Sequence, residues 1–218
     1  DNILALGIAG FILSFLVFLF VRNQPATRKS RTLETAASRK KWRDLGSALT
    51  AVLRNGEVWK ISLVAATMSG PMLVIGGLWG TPYLMVTFEL SRPEAAFFMS
   101  LLLLGWAFGA PFSGWLSDHI GRRKPILVTG LVVICIMLAV VTGISDLPLG
   151  AVVACLVVIG LSGGGMTACF GLVKDVMPAP LAGASTGVVN SMTVASGAIL
   201  QPFVGLALDL KWDGRLVD

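Results

Sequence analysis

An all-α bundle of membrane-spanning helices is the fold this sequence predicts, and three observations carry the prediction. Hydrophobic residues make up 55% of the 218-residue chain and charged ones only 13%, about half the charge of a water-soluble domain. Several apolar stretches run to about 20 residues, enough for a helix rising about 1.5 Å per residue to cross a hydrocarbon core about 30 Å thick. The charge that remains collects between these stretches: nine of the 17 basic residues fall between Arg22 and Arg54.

Apolar runs, punctuated by Gly, Pro and charge, define six spans: residues 3 to 21, 58 to 88, 93 to 116, 125 to 144, 148 to 173 and 184 to 208. The first has neither a basic segment before it nor a small-residue cleavage site after it, so it reads as a spanning helix and not a signal peptide. The second exceeds a straight crossing and is expected to tilt, or to break near Gly70-Pro71. The chain opens at Asp1 almost inside a span and turns polar beyond Asp209, so both ends are expected to be cuts through a longer protein.

Loop charge sets the expected orientation. The loop between the first two spans holds nine Lys or Arg against Glu34, Asp44 and, at its end, Glu57, whereas the loops after the second and fourth spans carry Glu89, Arg92, Glu94 and Asp146. The basic loop is therefore cytoplasmic, and so is the loop after the third span, which ends in Arg122-Arg123-Lys124. Within the long loop Trp42, Leu45, Leu49 and Val52 recur at helical spacing beside Lys40, Lys41 and Arg43, with Asn55-Gly56 as a stop signal. An amphipathic helix on the inner membrane surface, in contact with lipid, accounts for them, and a regulatory or partner-binding helix would carry the same pattern. Three segments result: a first helix at 1–21, a basic linker at 22–57, and five further spans at 58–218.

Some function classes are excluded early. The formal charge of +5 belongs to juxtamembrane clusters and does not call for nucleic acid. Cys135, Cys155 and Cys169 lie inside apolar runs, spaced neither as a disulfide framework nor as a zinc site, and read as small buried hydrophobes. No Asp, Glu, Lys or Arg stands in the middle of a span, and the single His lies outside them, which leaves a membrane-embedded enzyme without a cluster of catalytic groups. No metal or cofactor site is expected.

The most specific signal is Gly114-Trp115-Leu116-Ser117-Asp118-His119-Ile120-Gly121-Arg122-Arg123-Lys124-Pro125. Gly114 allows close approach of a neighbouring helix, and Gly121 permits a turn that a side chain resists. Asp118 at the membrane edge needs a cation or the positive end of a helix; Arg122, Arg123 and Lys124 supply cations. A merely charged loop explains the basic residues but not the glycines on either side of the Asp.

This segment resembles the cytoplasmic loop signature of the major facilitator superfamily, G-x-L-x-D-x-x-G-R-[RK], with His119 standing where that family commonly has Arg. The resemblance extends over nearly the whole chain and implies the family's sixth to eleventh helices, hence an incomplete C-terminal half of a twelve-helix bundle whose N-terminal half is a missing partner. It implies a secondary active transporter of a small polar solute, a symporter or antiporter working by alternating access in a plasma or inner membrane. A transport-inactive sensor or scaffold on the same fold is the alternative. The resemblance further implies that the loop latches one state of the cycle, Asp118 meeting the end of a helix in the next triplet, here the sixth span near Pro180 to Ala184.

The solute pathway is sought at spans interrupted by Gly or Pro in corresponding positions. The second span has Gly70-Pro71 and Gly76-Gly77, and the fifth has Gly160 and Gly163-Gly164-Gly165. One helical face carries Met68, Met72, Gly76, Trp79 and Tyr83, and another Ser162, Met166, Phe170 and Lys174. Packing and interfacial anchoring compete as explanations for each of them. Lys174 points to an anion such as an organic acid, with sugars, amino acids and drugs left open. Asn190 and Gln201, about three turns apart, are expected to make interhelical hydrogen bonds, and Gly105 with Gly109 and Gly183 with Gly187 to mark close helix contacts.

Overall fold

The computed structural model describes residues 2–20, 45–144 and 146–210. The chain divides into two units, Asp1–Leu45 and Gly46–Asp218. In the first, α1 (Asn2–Phe20) is apolar along its whole length; Trp42 and most of the basic linker lie outside the described residues.

The second unit holds the bundle. A short helix, α2 (residues 45–53), leads through Asn55 into α3 (Gly56–Val74), a π-turn (Ile75–Trp79) and α4 (Gly80–Phe88), which together form one span. The third and fourth spans are α5 (Arg92–Ile120) and α6 (Lys124–Gly143). The fifth comprises α7 (Leu149–Gly163), a 3₁₀ turn (Gly164–Met166) and α8 (Thr167–Val176). The sixth is α9 (Ala182–Asp209), entered through a 3₁₀ turn at Ala179–Leu181. Among the described residues, five segments are long and apolar enough to cross a membrane, and α1 adds a shorter apolar helix, Gly7–Phe20. No strand occurs among the described residues.

Helix ends follow local chemistry. Asn55 caps α3 by accepting a hydrogen bond from the Glu57 amide. Ser91 and Glu94 form a capping box at the start of α5, with Arg92-Pro93 in its first turn. Gly121 ends α5 at φ 68°, in the left-handed region where a Cβ is costly.

The outer surface is apolar, unlike that of a soluble protein, and the largely apolar interior takes in small polar residues. Leu63, Val86, Phe108, Phe112, Val132, Ile136 and Phe203 are half or more exposed, while Ser62, Ser69, Ser113, Ser117, Ser185, Thr193 and Ser196 are buried. A bundle solvated by lipid tails gains nothing from hiding Leu, and it holds its helices together by small residues and interhelical hydrogen bonds. The main contacts pair α5 with α7 and α3 with α9, and α6 lies against α7. Gly105 and Gly109 face the backbone of Val157 and Leu161, and Gly160 faces that of Leu102, so α5 and α7 meet main chain to main chain. Gly183 and Gly187 look onto open space instead, and among the described residues the close contact expected of that pair is not made. Cys155 and Cys169 are buried as expected, whereas Cys135 is exposed on α6.

The second span departs from expectation in where it breaks. The helix runs through Pro71 unbroken and widens four residues later, at Ile75–Trp79. Gly70 is absorbed by packing, because a Cβ there would stand 2.6 Å from Leu200 Cδ1. A π-turn inserts one residue into the helical register, so everything beyond it turns by about 100° relative to a regular helix.

Candidate functional site

The Gly121 turn folds the chain back so that Arg123, the cap of α6, returns over the end of α5. Its side chain, 26% exposed, joins three elements. Nε donates to Asp175 Oδ2 at 2.6 Å, in the last turns of α8, and Nη1 lies 3.4 Å from Asp118 Oδ1 and 3.5 Å from Ser117 Oγ on α5. Ser117 in turn donates to the Gly114 carbonyl at 3.0 Å. The guanidinium occupies the space a Cβ on Gly171 would need. Around this bridge lies an open cleft of about 520 Å³, lined among others by Asp118, Arg122, Lys124, Leu172 and Asp175. Three cations face two carboxylates, so Arg122 and Lys124 are in excess over the carboxylates that Arg123 holds.

Asp118 thus meets Arg123, and the carboxylate held most closely belongs to the end of the fifth span, not the start of the sixth. Asp118 is 72% exposed and Asp175 56%, which makes the Asp175 contact the shorter and the drier of the two. Sequence reasoning overlooked Asp175 and Gly171 as parts of this assembly. Gly114 has no atom within 4 Å of its Cβ position, so among the described residues no helix takes up the approach it would allow. His119 stacks on Trp115 with ring centroids 5.5 Å apart, one turn back along α5, and is not among the residues lining the cleft.

The π-turn splits the face drawn through the second span. Met68 is fully buried, its methyl group over Gly130 of α6 and Gly165. Gly76 faces Leu102 of α5, and Trp79 lies across Gly205 of α9. Met72 packs partly buried against the cluster of Leu84, Met99 and Leu102, and Tyr83 is exposed. On the fifth span Met166 is buried and Phe170 packs against the same core cluster as Met68, while Ser162 is half-buried and Lys174 exposed. A side chain already covered within this unit cannot line a solvent path in the same conformation, so Met68 and Met166 are packing residues here. Asn190 is exposed. Gln201 bonds across helices, donating from Nε2 to the Leu73 carbonyl at 3.0 Å.

A family profile described as Major Facilitator Superfamily matches residues 3–202. The chain belongs to the Major Facilitator Superfamily. Over 103 residues it is 35% identical to the "Probable metabolite transport protein CsbC" of Bacillus subtilis (strain 168), a stretch that is 47% of this chain and 22% of that protein. The chain therefore spans a minor part of the length of the curated relative it matches. No solved structure matches it. The superfamily match takes in the Gly121 turn, Arg123, Asp175 and both interrupted spans, and with five candidate spans the chain is part of an integral, multi-pass membrane protein.

Proposed function

We propose that this chain is the second helical half of a secondary active transporter that moves a small polar solute by alternating access, and that the Arg123 bridge latches one end state. The observation that carries the reading is the bridge itself: one arginine ties the end of the third span, the start of the fourth and the end of the fifth. Relative movement of these helix ends has to break it, so a state in which they part loses its charge-assisted hydrogen bonds. The printed name of CsbC supports a metabolite as cargo.

The pathway runs along the side chains that packing leaves at least partly open: Met72, Gly76, Trp79 and Tyr83 on the second span, Ser162, Phe170 and Lys174 on the fifth. Lys174 favours an anionic solute such as an organic acid. The basic loops face the cytoplasm, α2 rests on the lipid surface, and an N-terminal half supplies the opposite wall. Proteoliposomes of the full-length protein, screened with radiolabelled organic acids, sugars and amino acids, test the reading. Uptake of one class that Lys174→Gln weakens supports it. A solute that binds but is never taken up overturns it in favour of a sensor on the same fold.

A further inference from the structure

We infer that Gln201 is a positioning residue of the solute pathway: its side-chain amide and its main-chain carbonyl together clasp the π-turn of the second span, and the amide, by holding the near side of that turn, sets the orientation of α4 beyond it. This rests on the reading above that the second span lines the pathway.

Two hydrogen bonds make the clasp. Gln201 Nε2 donates to the Leu73 carbonyl at 3.0 Å, two residues before the π-turn, and Trp79 Nε1, at its last residue, donates to the Gln201 backbone carbonyl at 3.2 Å. One residue of α9 therefore grips both sides of the widened turn. The surrounding sequence is cleared for it. A Cβ on Gly77 would stand 3.2 Å from the Gln201 amide nitrogen, one on Gly205 would stand 3.2 Å from the Trp79 ring, and one on Gly197 would stand 2.9 Å from Leu73 Cβ. Three glycines at these positions let the amide, the indole and the Leu73 stem fit between α9 and the second span.

The physical need is plain. Where a helix passes from i→i−4 to i→i−5 bonding, the register slips by one residue and the hydrogen bonds at the junction are incomplete, and lipid supplies no partner. A π-turn held from outside is fixed in place; one left to itself can migrate along the helix or anneal, and every residue past it then turns by about 100°. Trp79 and Tyr83 lie at and past that point. Ser69, lower on the same interface, reaches the Thr193 carbonyl at 3.2 Å and lies 3.3 Å from Ser196 Oγ, so the inner part of the second span has its own attachment. Gln201 acts on the outer part.

The test uses the full-length protein in proteoliposomes with Cys135, Cys155 and Cys169 replaced by Ser and a single cysteine at Tyr83 or at Ser162. A charged methanethiosulfonate reagent is the probe. In Gln201→Ala the labelling rate at position 83 should change about two- to tenfold, the range expected for losing one net hydrogen bond, while position 162 keeps its rate. Gly77→Ala crowds the amide and should change position 83 in the same direction, yet add nothing once Gln201 is already Ala. An unchanged rate at 83 in both variants overturns the inference, as does an equal change at 83 and 162, which would mark a general loss of packing. If neither position is labelled before any other change, the pathway reading itself falls, and the positioning role with it.

Discussion

Replacing Asp175 by Asn removes the closer half of the Arg123 bridge without changing side-chain size. Two unit charges about 4 Å apart at an effective dielectric near 20 attract by about 4 kcal/mol before desolvation and side-chain ordering are subtracted. A charge-assisted hydrogen bond nets about 1.5–3 kcal/mol. With Arg123 at 26% exposure and Asp175 at 56%, solvent screening brings that down to about 1–2 kcal/mol. The ratio of the two end states should then shift about five- to thirtyfold. Asp118, 72% exposed and 3.4 Å from Nη1, resembles a surface pair worth at most about 1 kcal/mol, so Asp118→Asn should shift the ratio by about fivefold or less. Pulsed electron resonance on the full-length protein, with spin labels flanking the Gly121 turn and the end of α8, would read the two populations. Because Arg123→Gln removes the Asp175 contact together with the Asp118 one, adding Asp175→Asn to it should shift the ratio no further than Arg123→Gln alone. An Asp118→Asn effect equal to or larger than that of Asp175→Asn, or full additivity of the last pair, would refute the reasoning.

Three further outcomes are expected. Gly160→Ala should cost about 1–3 kcal/mol of stability, by forcing a methyl group into the Leu102 backbone, and thermal unfolding in detergent should show it; Gly187→Ala, with open space around it, should leave the midpoint in place. Gly121→Ala, at φ 68°, should lower the midpoint by the equivalent of about 1 kcal/mol. Cysteines at Met72 and Tyr83 should react with water-soluble thiol reagents while those at Met68 and Met166, both buried, and at the lipid-facing Val132 and Ile136 should not; equal labelling of all six would remove the pathway assignment.

The spans were legible because lipid imposes one coarse requirement, about 20 apolar residues between charged loops, and hydropathy reads it directly. Orientation of side chains within a span is a finer matter. The stripe from Met68 to Tyr83 assumed a uniform helix, and a single inserted residue at Ile75–Trp79 leaves Met68, ahead of it, in the core and turns Trp79 toward α9. Composition contains no trace of that slip beyond the Gly76-Gly77 pair, which fits a π-turn and an ordinary close contact equally well. The loop signature was legible as a unit, yet the partner of its cation was not: Asp175 lies 52 residues from Arg123 in sequence, and its role depends on where Gly171 leaves room. Gln201 was recognised as a polar group needing a partner at membrane depth, but which carbonyl it would find follows only from the packing of α3 on α9.

The guanidinium of Arg123 rests where a side chain at position 171 would begin. A single methyl group at that position would therefore act as a wedge that expels the arginine while leaving every ionisable group, and the formal charge of +5, untouched. Charge-removing substitutions alter the field along the whole of this end of the bundle as well as the contact. Gly171→Ala changes only whether the contact can form, so the chain contains its own means of telling apart attraction at a distance from touch.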